Sequence, residues 1–168
     1  QDKIGKSYDS SFSNWYTYFS DSALLTSPSG ERLSRWFEVD SGAPRNFEKA
    51  VGAWGYQGQG LHVKARILGS AYPYAGFGAG LLNGWDSSSV DLTGLTAIQF
   101  RAKGRGEWCI QVISDSIYNG YPKEDNWGAM NASFVLKDQW ESFIFPAEKL
   151  VPKKYSVQAE QGITWADV

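Results

Sequence analysis

The chain has a single histidine, His62, and a single cysteine, Cys109, among its 168 residues, and that scarcity narrows its chemistry. A metal site built on His62 lacks the second histidine or cysteine that would complete a ligand set, so His62 reads as a surface residue on the wet side of a strand. A serine nucleophile would need His62 as its base, and no Gly-x-Ser-x-Gly elbow is present to hold one. The formal net charge is only −2, with basic residues scattered instead of gathered into a stripe. The footprint that phosphate backbones require is therefore missing, and nucleic acid is not an expected partner. No apolar run approaches the roughly 20 residues needed to span a bilayer, and no charged-then-apolar leader precedes Gln1, so no membrane partner is expected. A start at Gln1 without methionine fits a mature end left after signal cleavage, which makes a secreted or cell-surface protein the expectation. With one cysteine there is no disulfide framework. Cys109 lies in the apolar run 108–113, where a buried, inert thiol is expected.

Aromatic side chains are abundant: eight tryptophans and nine tyrosines. Rings with polar edges offer flat apolar faces and hydrogen-bonding tips, which suits a ligand that is itself amphipathic, such as a sugar ring. At this length, and with 42% apolar residues, one domain over 1–168 with a core of its own is the default.

Helical periodicity is scarce, whereas short alternating runs separated by Gly, Pro, Asn, Asp and Ser recur throughout. This predicts an all-β chain, a jelly-roll sandwich of two antiparallel sheets. The clearest strand is 61–67, with Leu61, Val63, Ala65 and Ile67 inward and His62, Lys64 and Arg66 outward. Residues 96–102 and 107–114, joined by Lys103, Gly104, Arg105 and Gly106, read as a hairpin. A strand over 139–145 places Phe143 and Phe145 opposite Trp140 and Ile144, and two sheets packed face to face would bury both sets. Residues 75–82 alternate glycine with apolar residues, so one face carries almost no side chains and something must approach closely. A neighbouring loop packing there and a shallow groove floor for a ligand are both compatible with that pattern.

Trp36, Trp108 and Trp140 fall within strands and are expected in the core. Tyr18, Tyr74, Tyr118, Tyr121, Trp127 and Tyr155 fall in or beside turns and are the candidate exposed platforms. Glu38 and Asp40 form the one same-face carboxylate pair that a jelly-roll glycosidase could use, although their strand runs into a Ser-Gly-Ala-Pro turn typical of a solvated end. Glu124 and Asp125 read as solvating or ligand-contacting loop residues.

Taken in order, Asn14-Trp15-Tyr16-Thr17-Tyr18, Tyr74-Ala75-Gly76, 98–104, Trp140-Glu141-Ser142-Phe143-Ile144-Phe145-Pro146 and Lys153-Lys154-Tyr155 resemble the family-eleven carbohydrate-binding modules. These are galactose-binding-like β-sandwich domains found in cellulose-degrading enzymes. The resemblance implies a concave face holding one β-glucan chain, with Tyr18, Tyr74 and Tyr155 on the platform positions. It puts Lys153 near a basic ligand contact and Asp125 near an acidic one. Gly80 replaces a polar position, and Lys154 stands where the family has an acid. The family often carries structural calcium near the chain start, where Asp9 would contribute, although no calcium loop is legible. Family members continue beyond the equivalent of 162–168 into one or two further strands, so the expectation is either a domain lacking its final strands or another segment filling that edge, in a larger multidomain protein.

The function expected is noncatalytic binding of cellulose-type or mixed-linkage β-glucan, with no cofactor required. The alternatives are a protein-interaction domain of the same fold, as in respiratory-complex assembly factors, and the glycosidase using Glu38 and Asp40. A few stacks and neutral hydrogen bonds, set against the cost of association, imply a Kd of about 10 μM to 1 mM.

Overall fold

Antiparallel strands make up nearly all the regular structure in the computed structural model, which describes residues 15–35, 47–69, 73–79, 91–113, 130–152 and 165. The all-β class is therefore the one that the alternating runs predict. The chain divides into two compact units, one over Asp2–Trp85 and one over Asp86–Val168 together with Gln1.

The first unit carries β1 (Trp15–Phe19), β2 (Ala23–Thr26), β3 (Val51–Gly55), β4 (Gly58–Leu61), β5 (Lys64–Ile67) and β6 (Ala75–Ala79). They pair as β1 with β6, β2 with β5 and β3 with β4, all antiparallel. Phe19, Ala23, Leu25, Leu33 and Ala50 form the core, with Leu61, Val63 and Ala75 packed against it. Phe19, Leu25 and Leu33 are each at most 1% exposed, and burying a side chain of this size contributes about 1.5–3 kcal/mol.

The expected strand over 61–67 is two strands. Leu61 ends β4 opposite Val51, the His62 N–H donates to the Ala50 carbonyl at 2.7 Å, and the chain then changes partner, so that Lys64–Ile67 runs along β2. Leu61 and Val63 reach the core as the alternation requires, but Ala65 is exposed and Ile67 is 50% exposed, so the inward stripe stops at Val63. His62 is exposed, as its parity predicts.

The second unit carries β7 (Ala97–Ala102), β8 (Gly106–Val112), β9 (Met130–Leu136), β10 (Glu141–Pro146) and the short β11 (Val151–Pro152). β7 pairs with β10, while β8, β9 and β11 form a second sheet with β9 in the middle. The two sheets close on each other like a sandwich. Met130, Phe145 and Leu150 are buried between them, flanked by Ile98, Phe100, Ile110, Val112, Ala132, Phe134, Phe143 and Trp165. Phe134 of β9 meets Phe100 of β7 edge-on at 5.5 Å and Phe143 of β10 at 4.9 Å. Aromatic pairs in this range add about 0.5–1.5 kcal/mol each beyond the area they bury.

This topology corrects the predicted hairpin. Residues 103–105 do not fold β7 back along β8; they carry the chain from one sheet to the other, so the apolar faces of β7 and β8 oppose each other across the core. The crossing is tied to the β9–β10 connection. The Gly104 N–H donates to the Lys137 carbonyl at 2.7 Å, and Arg105 grips Asp138 through Nε to Oδ1 at 2.9 Å and Nη2 to Oδ2 at 2.8 Å. Gly106 leaves the turn at φ 95°, a conformation that strains residues with a Cβ.

Three burial expectations also change. Ile144, expected inside, is 58% exposed, because Phe143 and Phe145 take the inward parity of β10. Cys109 is exposed, because Trp108, Ile110 and Val112 take the inward parity of β8 and the thiol must point the other way. Trp108 and Trp140 are half-buried instead of forming the core. The Trp108 indole donates to the Arg105 carbonyl at 3.0 Å, and the Lys103 ammonium lies 5.2 Å from the Trp140 ring centroid. Trp36 lies outside the described residues.

Candidate functional site

The outward face of β1 follows from what its inward face buries. Thr17 and Phe19 are 2% and 1% exposed, and the Thr17 hydroxyl donates to the Ser34 carbonyl at 2.5 Å, so its polar atom is satisfied within the core. Strand alternation then places Tyr18 on the opposite face. Across the ladder Tyr18 stands opposite Gly76, and Tyr16 stands opposite Gly78.

The pairing explains the glycine-spaced strand. A Cβ built on Gly76 would lie 2.5 Å from both Cζ and Oη of Tyr18, so the tyrosine ring reclines over the glycine and occupies the space a side chain would fill. At Gly76 the close neighbour is not a loop but a ring from the adjacent strand. Aromatic–glycine pairs across an antiparallel ladder are a recognised way of covering glycine backbone in a sheet.

Tyr74 completes the surface. It lies two residues before Gly76, so it shares the Gly76 face, and it is 47% exposed. Its ring centroid lies 6.4 Å from that of Tyr18 with 36° between the planes. Its position is held by Ser20, a residue the sequence alone does not single out. The Ser20 N–H donates to the Tyr74 carbonyl at 3.0 Å, and the Tyr74 N–H donates to Ser20 Oγ at 3.2 Å. Ser20 Oγ is in turn 3.1 Å from Ser22 Oγ. Tyr74 thus projects from a backbone hydrogen-bonded to both the N–H and the hydroxyl of one residue at the end of β1.

Tyr18 and Tyr74, 56 positions apart in the numbering, are therefore brought together on the β1–β6 ladder. Tyr118, Tyr121, Asp125, Trp127, Lys153 and Tyr155 lie outside the described residues, as do Glu38, Asp40 and Asp9. Among the described residues, no cluster of three or more His, Cys, Asp or Glu is placed to hold a metal ion. No helix among them is long and apolar enough to cross a membrane.

Two further aromatics that the sequence reading does not single out are prominent: Trp54 at 39% exposure and Tyr56, in the β3–β4 turn, at 47%. Their signal in the sequence is the run of glycines around them, at 52, 55, 58 and 60.

Chemically, the Tyr18–Tyr74 surface offers two phenol rings on one sheet face, with hydroxyls at their edges. No protein-family model, curated protein or solved structure matches this chain.

Proposed function

We propose that the chain is a noncatalytic polysaccharide-binding protein that takes a β-glucan chain along the β1–β6 face, with Tyr18 and Tyr74 as its stacking platform. The observation that carries this reading is the reclined ring of Tyr18 on Gly76 with the half-exposed Tyr74 beside it at 6.4 Å. A pyranose presents C–H groups on its faces and hydroxyls around its rim. Neighbouring rings on one sheet face can lie under successive sugars while their phenolic edges meet the hydroxyls. Rigid presentation favours binding, because a ring already fixed on the ladder loses little rotamer freedom when the ligand arrives. The resemblance to the family-eleven modules points the same way, and a galactose-binding-like jelly roll is the fold that belongs with it.

Each stack contributes about 0.5–1.5 kcal/mol beyond area burial and each neutral hydrogen bond about 1 kcal/mol net, against an association cost of several kcal/mol. The affinity expected is a Kd of about 10 μM to 1 mM. That suffices for a module whose role is to hold an attached enzyme or a cell surface near polysaccharide, because tethering raises the effective concentration.

Affinity electrophoresis in gels containing barley β-glucan, xyloglucan or xylan tests the proposal. The wild-type chain is retarded by at least one glucan, and Tyr74→Ala weakens the retardation by about 2- to 13-fold in Kd, the loss of one stack. Unretarded migration of the wild type in every polysaccharide would refute it.

A further inference from the structure

The β3–β4 hairpin carries a second aromatic surface built on the same principle as Tyr18 on Gly76. Its ladder pairs Gly52 with Gly60 and Gly55 with Gly58, and the register shifts between Gly52 and Gly55. A Cβ on Gly52 would meet Cη2, Cζ2 and Cζ3 of Trp54 at 3.0–3.1 Å, so the six-membered ring of the indole rests on Gly52. The His62 ring meets Trp54 edge-on, with centroids 5.7 Å apart and 84° between the planes. The indole is thus braced by Gly52 and packed against the His62 ring, yet Trp54 remains 39% exposed. A large apolar ring would ordinarily seek the core. Glycine inside a strand costs about 0.5–1 kcal/mol relative to alanine, so this hairpin gives up stability to lay a tryptophan flat at the surface.

The surroundings specify what the ring would meet. Residues 51–63 contain no Asp, Glu, Lys or Arg. The nearest lysines along the chain are engaged elsewhere: Lys49 Nζ with Glu31 Oε1 at 2.7 Å, and Lys64 Nζ with the Pro28 carbonyl at 3.1 Å. An anionic ligand finds no counter-charge within the hairpin. Gln57 and Gln59 are exposed beside the turn, and their amides both donate and accept, as hydroxyl groups require. A protein partner would want a wider apolar surround than glycine and glutamine provide.

We infer that the Trp54 surface is a second subsite, separate from the tyrosine platform, that stacks on a neutral pyranose ring of a glucan. The inference rests on the saccharide reading above and extends it to a part of the chain that reading does not use.

The test is fluorine NMR of the full chain labelled with 5-fluorotryptophan, which has eight tryptophan positions. Trp54→Phe assigns one signal, and the persistence of the others shows that the variant is folded. The labelled protein is titrated with cellohexaose, both as wild type and as the Tyr18→Ala/Tyr74→Ala double variant. The expected result is that the Trp54 signal moves in both, with a midpoint of roughly millimolar order in the double variant, where one stack remains. A Trp54 signal that stays still while the wild-type chain is retarded by glucan gels overturns this inference and leaves the tyrosine reading standing. A signal that moves in the wild type and not in the double variant also overturns it, because the site would not be separate. No movement and no retardation together overturn both.

Discussion

Replacing Gly76 with alanine perturbs the proposed platform without touching either tyrosine. The added methyl would sit 2.5 Å from Cζ and Oη of Tyr18, where ordinary van der Waals contact begins near 3.4 Å, so the ring edge must move by about 1 Å. Its neighbour is the far end of a side chain, which can swing outward, so the strain stays towards the low end of the about 1–3 kcal/mol typical of overpacking. Alanine also recovers about 0.5–1 kcal/mol that glycine forfeits within a strand. The net change in stability is therefore small, about 0–2 kcal/mol, and the chain remains folded. Binding responds differently, because a displaced Tyr18 no longer keeps its place beside the neighbouring Tyr74. The loss expected is up to one stack, about 2- to 13-fold in Kd for barley β-glucan, read by affinity electrophoresis beside a urea melt. The decisive comparison is a double-mutant cycle. If Gly76→Ala acts by moving Tyr18, adding it to Tyr18→Ala costs no further affinity. A folded Gly76→Ala chain with wild-type affinity refutes the reasoning, and so does an effect that persists in full on the Tyr18→Ala background.

Within β10, parity separates two neighbours: Phe145→Ala costs about 3–5 kcal/mol, whereas Ile144→Ser stays within about 0.5 kcal/mol. Equal shifts in urea midpoint would contradict the register. Cys109 reacts stoichiometrically with a thiol reagent such as 5,5′-dithiobis(2-nitrobenzoate) without denaturant; a thiol that appears only on unfolding contradicts the outward parity of β8. The Arg105 guanidinium holds the Asp138 carboxyl below the usual carboxylate range. A carboxyl with a lowered folded pKa contributes stability above its unfolded value, about 3.9, and loses it as the pH falls through the lowered one. The Tm gap between wild type and Asp138→Asn should therefore be present at pH 7 and close in acid, and a gap that widens on acidification runs against the pairing.

The β class is legible because it depends on local periodicity: the alternation in 61–67 and 96–102 is visible residue by residue. Partner choice is not, because it depends on contacts far apart in the chain. The turn at 103–106 has the composition of a hairpin, yet Phe100 is drawn across the core to Phe134, and the turn becomes a crossing between sheets. The parity of a strand is fragile for a related reason. In the run 108–113 both faces read as apolar, and the difference of one position decides whether Cys109 or Ile110 is inside. The site shows the same division. Alternating glycines at 76 and 78 announce a close approach, but that the approaching group is Tyr18, 58 positions away in the numbering, follows only from the β1–β6 register. Trp54 gave no sign beyond its own glycine neighbours, because its exposure results from the indole being laid across Gly52.

A crystal of the chain grown with cellohexaose addresses the saccharide reading most directly. The expected result is glucose density along the β1–β6 face, with a pyranose ring parallel to Tyr74 and its neighbour reaching Tyr18. Sugar bound only on another face of the molecule, with Tyr18 and Tyr74 untouched, would contradict it.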